Sequence, residues 1–266
     1  MSDRLFAALL KYWRSRSGLS QLDLALAADV SSRHVSYLET GRAQPSQAMV
    51  LRLFSTLGVP LRHQNEALAA AGYARQFEEP ALTELPQPIR AAIAQMLRQQ
   101  QPFPMTVLAA DYRIVDRNAA ADAVFSRVVA DPARLFAGPV DMIALIFDPA
   151  LARGAFRDWP VTARRVLGRL QRELLRTGDE RLAALLDRAL QYPGVERSWR
   201  HPDDTDRVDA TLEIRLQQGD LNLGFLTTLT SFTSPGTVSL EELRLESYFP
   251  LDEATRQFCE SIATVG

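Results

Sequence analysis

Residues 20–42, Ser-Gln-Leu-Asp-Leu-Ala-Leu-Ala-Ala-Asp-Val-Ser-Ser-Arg-His-Val-Ser-Tyr-Leu-Glu-Thr-Gly-Arg, constrain this chain more than any other stretch. They hold two short helical signals with too little chain between them for anything but a tight turn. Ser20 is a good N-cap for the first helix, and Leu22, Leu24, Ala25 and Ala28 supply its apolar positions. Asp29 stands where the chain must reverse. Ser31 is the next N-cap, Val35 and Leu38 give the i, i+3 spacing of a second buried stripe, and Gly41 stops the helix. The outward side of that second helix carries Ser32, Arg33, Ser36 and Tyr37. Hydrogen-bonding side chains on a rigid rod are what reading base edges in a major groove requires. An ordinary antiparallel helix pair with a solvated polar face has the same periodicity, so the order of residues has to decide between the two.

That order runs Arg14, Gly18-Leu19-Ser20-Gln21, Leu24-Ala25, Val30-Ser31, Leu38-Glu39-Thr40-Gly41-Arg42 and Pro45-Ser46. It resembles the helix-turn-helix of phage-repressor-like, XRE-type regulators. The resemblance implies an all-α, five-helix, lambda-repressor-like domain that binds double-stranded DNA. It also implies an ion pair between Arg14 and Glu39. It places Ser32, Arg33 and Tyr37 against base edges with Ser36 beside them, and Gln21 against the phosphate backbone. Arg16, Arg42 and Ser46 are further phosphate candidates. The family's usual turn residue is Gly, because the backbone there is left-handed. Asp29 tolerates that conformation better than most residues, so the motif should survive at a small cost. A single head buries too little surface to select one genomic site, which leads to a homodimer on an inverted-repeat operator.

The flanking sequence completes the head. Residues 3–16 read as a helix with Leu5, Leu9, Tyr12 and Trp13 at helical spacing. A fourth helix starts at Ser46, buries Val50, Leu53, Phe54 and Leu57, and ends at Gly58; a fifth runs from Leu61 to Ala71 and stops at Gly72. We therefore assign residues 1–72 to the DNA-binding domain, 73–85 to a linker containing Pro80, and 86–266 to a second domain. Charge divides the same way. The first 72 residues carry eight cations and five anions, a net of +3; the remainder is −5, within a chain total of −2. A basic head on an acidic body suits a polyanionic partner at the head only.

The second domain opens with a helix over 86–101, with Ile89, Ile93, Met96 and Leu97 on one face. Residues 105–109 and 113–116 read as strands around a turn at Asp111-Tyr112, and Asn118 opens an Ala-rich helix towards Phe125. Residues 140–192 are helical in pattern, with Val166, Leu167, Leu170, Leu174 and Leu175 read as one stripe. Alternation returns at 208–216, Gly219 marks a hairpin, and Leu221, Leu223 and Phe225 continue it on the partner strand. Residues 243–249 make a third strand, and Asp252 caps a last helix. Helix, strands, helices, three antiparallel strands and a helix describe an α+β domain, an antiparallel sheet with flanking helices, and its opening of strand, Asp-containing turn, strand and Asn-capped helix resembles that of a PAS-like fold.

Following such a head, this domain is similar to the MmyB-like regulators. The resemblance rests on Glu39-Thr40-Gly41-Arg42 with Pro45-Ser46, Ala70-Ala71-Gly72-Tyr73, Trp199 with His201, and Pro250-Leu251-Asp252-Glu253-Ala254-Thr255. After His201 the chain reads Pro202-Asp203-Asp204-Thr205-Asp206, where the family has a short aliphatic stretch. The resemblance implies a bacterial cytoplasmic regulator, nucleoid-associated when bound, whose effector is a long-chain fatty acid or similar lipid. From the residues themselves, Val107, Leu212, Ile214, Leu223 and Phe225 form an apolar sheet face. Trp159, Trp199 and Phe147 stand ready to close over it, and His201 is a candidate anchor for a carboxylate. A closed apolar pocket and an ordinary packed core look alike in sequence.

Other chemistry has little to stand on. The three histidines, His34, His63 and His201, lie far apart, and none has a neighbour at metal-ligand spacing. No Gly-x-Ser-x-Gly, P-loop or Gly-x-Gly-x-x-Gly occurs. We expect no catalytic residue, no metal and no cofactor, with a bound fatty acid as the possible effector. The single cysteine, Cys259, forms no intrachain disulfide and reads as a small buried residue, which fits a reducing cytoplasm. The apolar run Leu5-Phe6-Ala7-Ala8-Leu9-Leu10 is too short for a signal peptide, and no run reaches the length of a membrane span. Three readings follow: a dimeric transcription regulator sensing a small apolar molecule; the same head on a ligand-free dimerisation or protein-docking module; and an enzyme with a regulatory head, which lacks a clustered catalytic set.

Overall fold

The computed structural model describes residues 2–136, 140–200, 212–232 and 236–263. The chain divides into two compact units. One comprises Met1–Pro80 with Thr233–Glu241, and the other Ala81–Phe232 with Glu242–Gly266.

The head contains α1 (Ser2–Arg16), α2 (Gln21–Ala27), α3 (Ser32–Glu39), α4 (Gln47–Thr56) and α5 (Leu61–Ala70). Three of the five start on serine caps. Ser20, Ser31 and Ser46 accept from the amides of Asp23, His34 and Met49, and Asp23 returns a bond to the Ser20 amide to close a capping box. The α2–α3 turn passes through Asp29 at φ 54°, the left-handed conformation expected there. Phe6, Leu10, Trp13, Leu24, Val35, Leu38, Leu53, Phe54 and Leu68 fill one core. Three apolar positions expected inside are outside: Leu5, Tyr12 and Leu22 are 57%, 49% and 56% exposed. The α1 stripe is rotated by one residue onto Phe6, Leu10 and Trp13, because a helix holding several consecutive apolar residues does not declare which of them faces inward. Past α5 the chain still packs on the head. The Asn65 carboxamide bonds Phe77 O and the amides of Gln76 and Phe77, and Tyr73 Oη donates to Pro45 O at 2.9 Å.

The second unit is built on one antiparallel sheet of β1 (Met105–Leu108), β2 (Ile114–Arg117), β3 (Leu212–Gln218), β4 (Leu221–Thr230) and β5 (Arg244–Pro250), in the order β2-β1-β5-β4-β3. Its helices are α6 (Gln87–Gln99), α7 (Ala119–Val128), α8 (Ala133–Phe136), α9 (Met142–Phe147), α10 (Trp159–Thr177) and α11 (Glu180–Ala189). The one-turn α12 (Val238–Glu242) and the final α13 (Glu253–Ala263) complete the chain. Asn118 caps α7 and Asp252 accepts from Thr255 at the start of α13. Gly219, at φ 58°, turns the β3–β4 hairpin. Residues 208–211 of the strand expected over 208–216 lie outside the described residues.

Both faces of this sheet are covered. On one, Ile93 and Leu97 of α6 pack with Met105, Val107, Leu243 and Leu245. On the other lies the large core of α7, α9, α10 and α11 with Leu108, Ile214, Leu223, Phe225 and Tyr248. Val107 therefore sits on the opposite side of the sheet from Ile214, Leu223 and Phe225, not with them. The run Met-Thr-Val-Leu is buried at every residue, and a strand covered on both faces shows no polar alternation by which to assign them. Leu175, expected on the α10 stripe with Val166 and Leu170, is 68% exposed and points away from it.

Candidate functional site

On the head, α3 turns Val35 and Leu38 into the core and leaves Ser32 and Arg33 exposed, with Ser36 and Tyr37 half-buried beside them. All four expected base-reading side chains thus share one helix of eight residues. Arg33 and Tyr37 hold each other one turn apart. Arg33 Nε donates to Tyr37 Oη at 2.9 Å, and the guanidinium lies 5.2 Å from the ring centroid. This braces two long side chains along the rod before any partner arrives.

Behind α3 a charge cluster fixes it to α1 and α2. Arg14 Nε and Nη2 donate to the two Glu39 oxygens at 2.5 and 3.0 Å, and Arg14 Nη1 donates to Leu19 O at 2.7 Å. The pair is nearly enclosed, with side-chain exposures of 13% and 3%, and the Glu39 hydrogen bond holds the Arg14 guanidinium above its ordinary pKa. Gln21 Nε2 also donates to Glu39 Oε2, at 2.7 Å. Gln21 thus braces the cluster with its side chain, and its backbone is left at the N-terminus of α2. The other expected phosphate residues surround this face. Arg16 lies along α1, donating to Tyr12 Oη at 2.6 Å and covering the Trp13 ring at 5.2 Å. Arg42 is exposed just past α3. Ser46 Oγ accepts the Met49 amide, which leaves its hydroxyl proton available to donate.

In the second unit, Phe147, Trp159, Trp199, Ile214, Leu223 and Phe225 belong to one buried cluster. Trp159 is the hub. Its ring centroid lies 5.9 Å from Phe147 and 5.8 Å from Trp199, and Phe147 lies 6.1 Å from Tyr192. The Trp159 indole donates to Ile146 O, whereas the buried Trp199 Nε1 has no hydrogen-bond partner among the described residues. Gln171 is oriented by its donor end, since Nε2 donates to both Trp199 O and Arg200 O at 2.8 Å. Its Oε1 is buried with no hydrogen-bond partner among the described residues. Leu212 pairs with Thr227 across the β3–β4 ladder. His201 lies outside the described residues.

Next to this cluster is a charged network that periodicity did not reveal. Glu246 of β5 receives Arg169 at 3.4 Å and Tyr248 Oη at 3.0 Å, while Glu173 of α10 receives Tyr112 Oη at 2.9 Å and Arg244 at 3.1 Å. Burial, with carboxylates alongside, pushes both phenols up, so they remain neutral donors. Burial opposes the Arg169 charge, but Tyr112 and Glu246 outweigh it and the pKa is raised. Two cations face two anions, so the network is neutral in itself. The available signal was Glu246, an acidic residue within the apolar strand Leu245-Glu246-Ser247-Tyr248-Phe249. Cys259 is buried, as expected, and burial pushes its thiol up to about 11. Among the described residues no helix is long and apolar enough to cross a membrane, and no group of His, Cys, Asp and Glu could hold a metal.

The family described as MmyB-like transcription regulator ligand binding domain matches residues 89–262, and a helix-turn-helix domain family matches residues 5–68. A search of the curated proteins finds no significant match. Among solved structures, an RNA-binding light-oxygen-voltage receptor is similar at 13% identity and a TM-score of 0.32. That alignment covers 96% of this chain and 65% of the receptor's.

Proposed function

The chain belongs to the MmyB-like transcription regulators, being a DNA-binding regulator with a ligand-binding domain, and on that premise we propose that it binds an inverted-repeat operator as a homodimer under the control of a fatty acid or similar apolar ligand. The cytoplasm, on chromosomal DNA, is where such a protein would work. The observation that carries the DNA half is the shared face of Ser32, Arg33, Ser36 and Tyr37 on α3, braced by Arg14, Gln21 and Glu39. Arg33 is the side chain there able to reach guanine O6 and N7 together. Arg16, Gln21, Arg42 and Ser46 would hold the phosphates that position it.

The ligand half is supported by the aromatic cluster around Trp159. A packed core leaves few buried polar groups unpaired, yet Trp199 Nε1, and Gln171 Oε1 of the amide that bonds the Trp199 carbonyl, are buried with no hydrogen-bond partner among the described residues. An apolar body with one polar end would suit such surroundings, and a fatty acid has that form. Native mass spectrometry of protein purified from cells tests this reading: the expected result is a bound species in the mass range of a fatty acid. Bare protein that also ignores an added saturated fatty acid series would favour a ligand-free dimerisation or docking domain on the same head. Selection from random DNA tests the other half, and non-palindromic sites would overturn the dimeric operator.

A further inference from the structure

Two of the side chains displayed on α3 are not equally fixed. Tyr37 is the anchored one. Its carbonyl accepts from the Arg42 amide at 2.8 Å and the Ala43 amide at 3.3 Å, so the chain folds back onto it as it leaves the helix. Its side chain is half-buried, whereas Arg33 is exposed. An arginine left to itself in water samples many rotamers and must be ordered when it binds. Here the i, i+4 spacing puts Arg33 within reach of a held neighbour. Nε donates to Tyr37 Oη at 2.9 Å, and the guanidinium lies 5.2 Å from the ring centroid. The hydroxyl oxygen and the ring face therefore both act on the same group.

The hydrogen bond also selects an edge of the guanidinium. The group carries five N–H donors in one plane, one on Nε and two on each Nη. A bidentate contact can use Nε with the nearer Nη, or the two Nη atoms together. With Nε turned to Tyr37, the first pair is engaged and the second remains for guanine O6 and N7. Position along the helix agrees. Arg33 is the second residue of α3 and Tyr37 the sixth, and it is the N-terminal residues of such a helix that meet base edges. Tyr37 stands one turn behind.

We propose that Tyr37 is a positioning residue and not a base reader: it holds Arg33 so that guanine is read end-on through Nη1 and Nη2. The reading of guanine rests on the proposed function; the brace is a property of the protein without DNA. The test uses the full chain and Tyr37→Phe, which keeps the ring and removes the oxygen. By NMR without DNA, the Arg33 Nε proton should exchange with water roughly threefold faster or more in Tyr37→Phe, the loss of one hydrogen bond. The melting curves of the two proteins should coincide. Affinity is then measured for a site selected from random DNA by the wild-type protein, and for that site with its half-site guanines replaced by adenine. The ratio of the two should fall roughly fivefold in Tyr37→Phe, and adding Tyr37→Phe to Arg33→Ala should lower it no further. An unchanged ratio in Tyr37→Phe, or a further loss in the double variant, would overturn the positioning role, the second by showing that Tyr37 touches DNA itself. Unchanged Nε exchange would overturn the brace whatever the DNA result. A ratio that Arg33→Ala also leaves unchanged would overturn reading by α3, and the positioning with it, while the exchange result still reported on the brace.

Discussion

The head displays its candidate reading residues on one helix of eight residues, whereas the second domain gathers its aromatic cluster from α9, α10, a turn near residue 199 and the sheet. The size of the partner explains the contrast. DNA is larger than the head, so recognition must be convex and external, and one helical period can supply it. A small molecule has to be enclosed, so its site must converge from distant parts of the chain and doubles as core. On the proposed function, activity and stability are therefore separable in the head and joined in the second domain.

Substitutions can break that contrast, and the largest effects belong to buried groups. Phe147→Ala should cost about 3–5 kcal/mol of sensor stability, read by urea unfolding, and should abolish any bound ligand at the same time. A variant that lost ligand at full stability would show that the cluster is not core. Arg14→Ala leaves Glu39 buried without its partner and should cost the head roughly 3–5 kcal/mol, while Arg4→Ala leaves the melting curve unchanged. Equal curves for the two would remove the charge cluster from the account.

Smaller effects test the head's exposed face. Arg33→Ala should keep stability within about 0.5 kcal/mol and lose roughly 1–3 kcal/mol of discrimination for guanine in each half-site. The operator should place its half-sites about 34 Å apart. If selected sites were the same with and without Arg33, α3 would not be the reader. A dimer that neutralises about four to eight phosphates should give a log–log salt slope of roughly −4 to −7, and Arg16→Ala should flatten it by about one per head while weakening all sequences alike. The smallest effect is a pH dependence at Glu66. Its hydrogen bond with His63 lowers the Glu66 pKa below the ordinary 4.5. The stabilisation is present above pH 4.5 and fades as pH falls through the lowered folded value. With Glu66 about half exposed, the pair is worth under about 1 kcal/mol, and acid unfolding of His63→Ala should show that small difference.

How much could be read in advance followed the same division. Serine caps, the Asp29 turn, Gly41 and the Arg14–Glu39 pair are local or motif-borne, and the structure places them as expected. Within the second domain, the strands, the Gly219 hairpin and the caps at Asn118 and Asp252 were legible because each depends on neighbours in sequence. The face of Val107 was not, since β1 is apolar at nearly every residue and burial on both sides erases the alternation. Nor were the exposures of Leu22 and Leu175, where an apolar residue flanks a stripe without belonging to it.

Sequence by itself therefore determined the helix-turn-helix, the antiparallel second domain and the residues displayed on α3, because each follows from spacing over a turn of helix or a pair of strands. Only the tertiary structure decided which carboxylates are gripped by which arginines. Glu246 meets Arg169 and Glu241 caps Leu61 across 77 and 180 residues of chain. No local propensity records such pairings, because they are chosen when the sheet order β2-β1-β5-β4-β3 closes and the buried charges must find partners or remain unpaired.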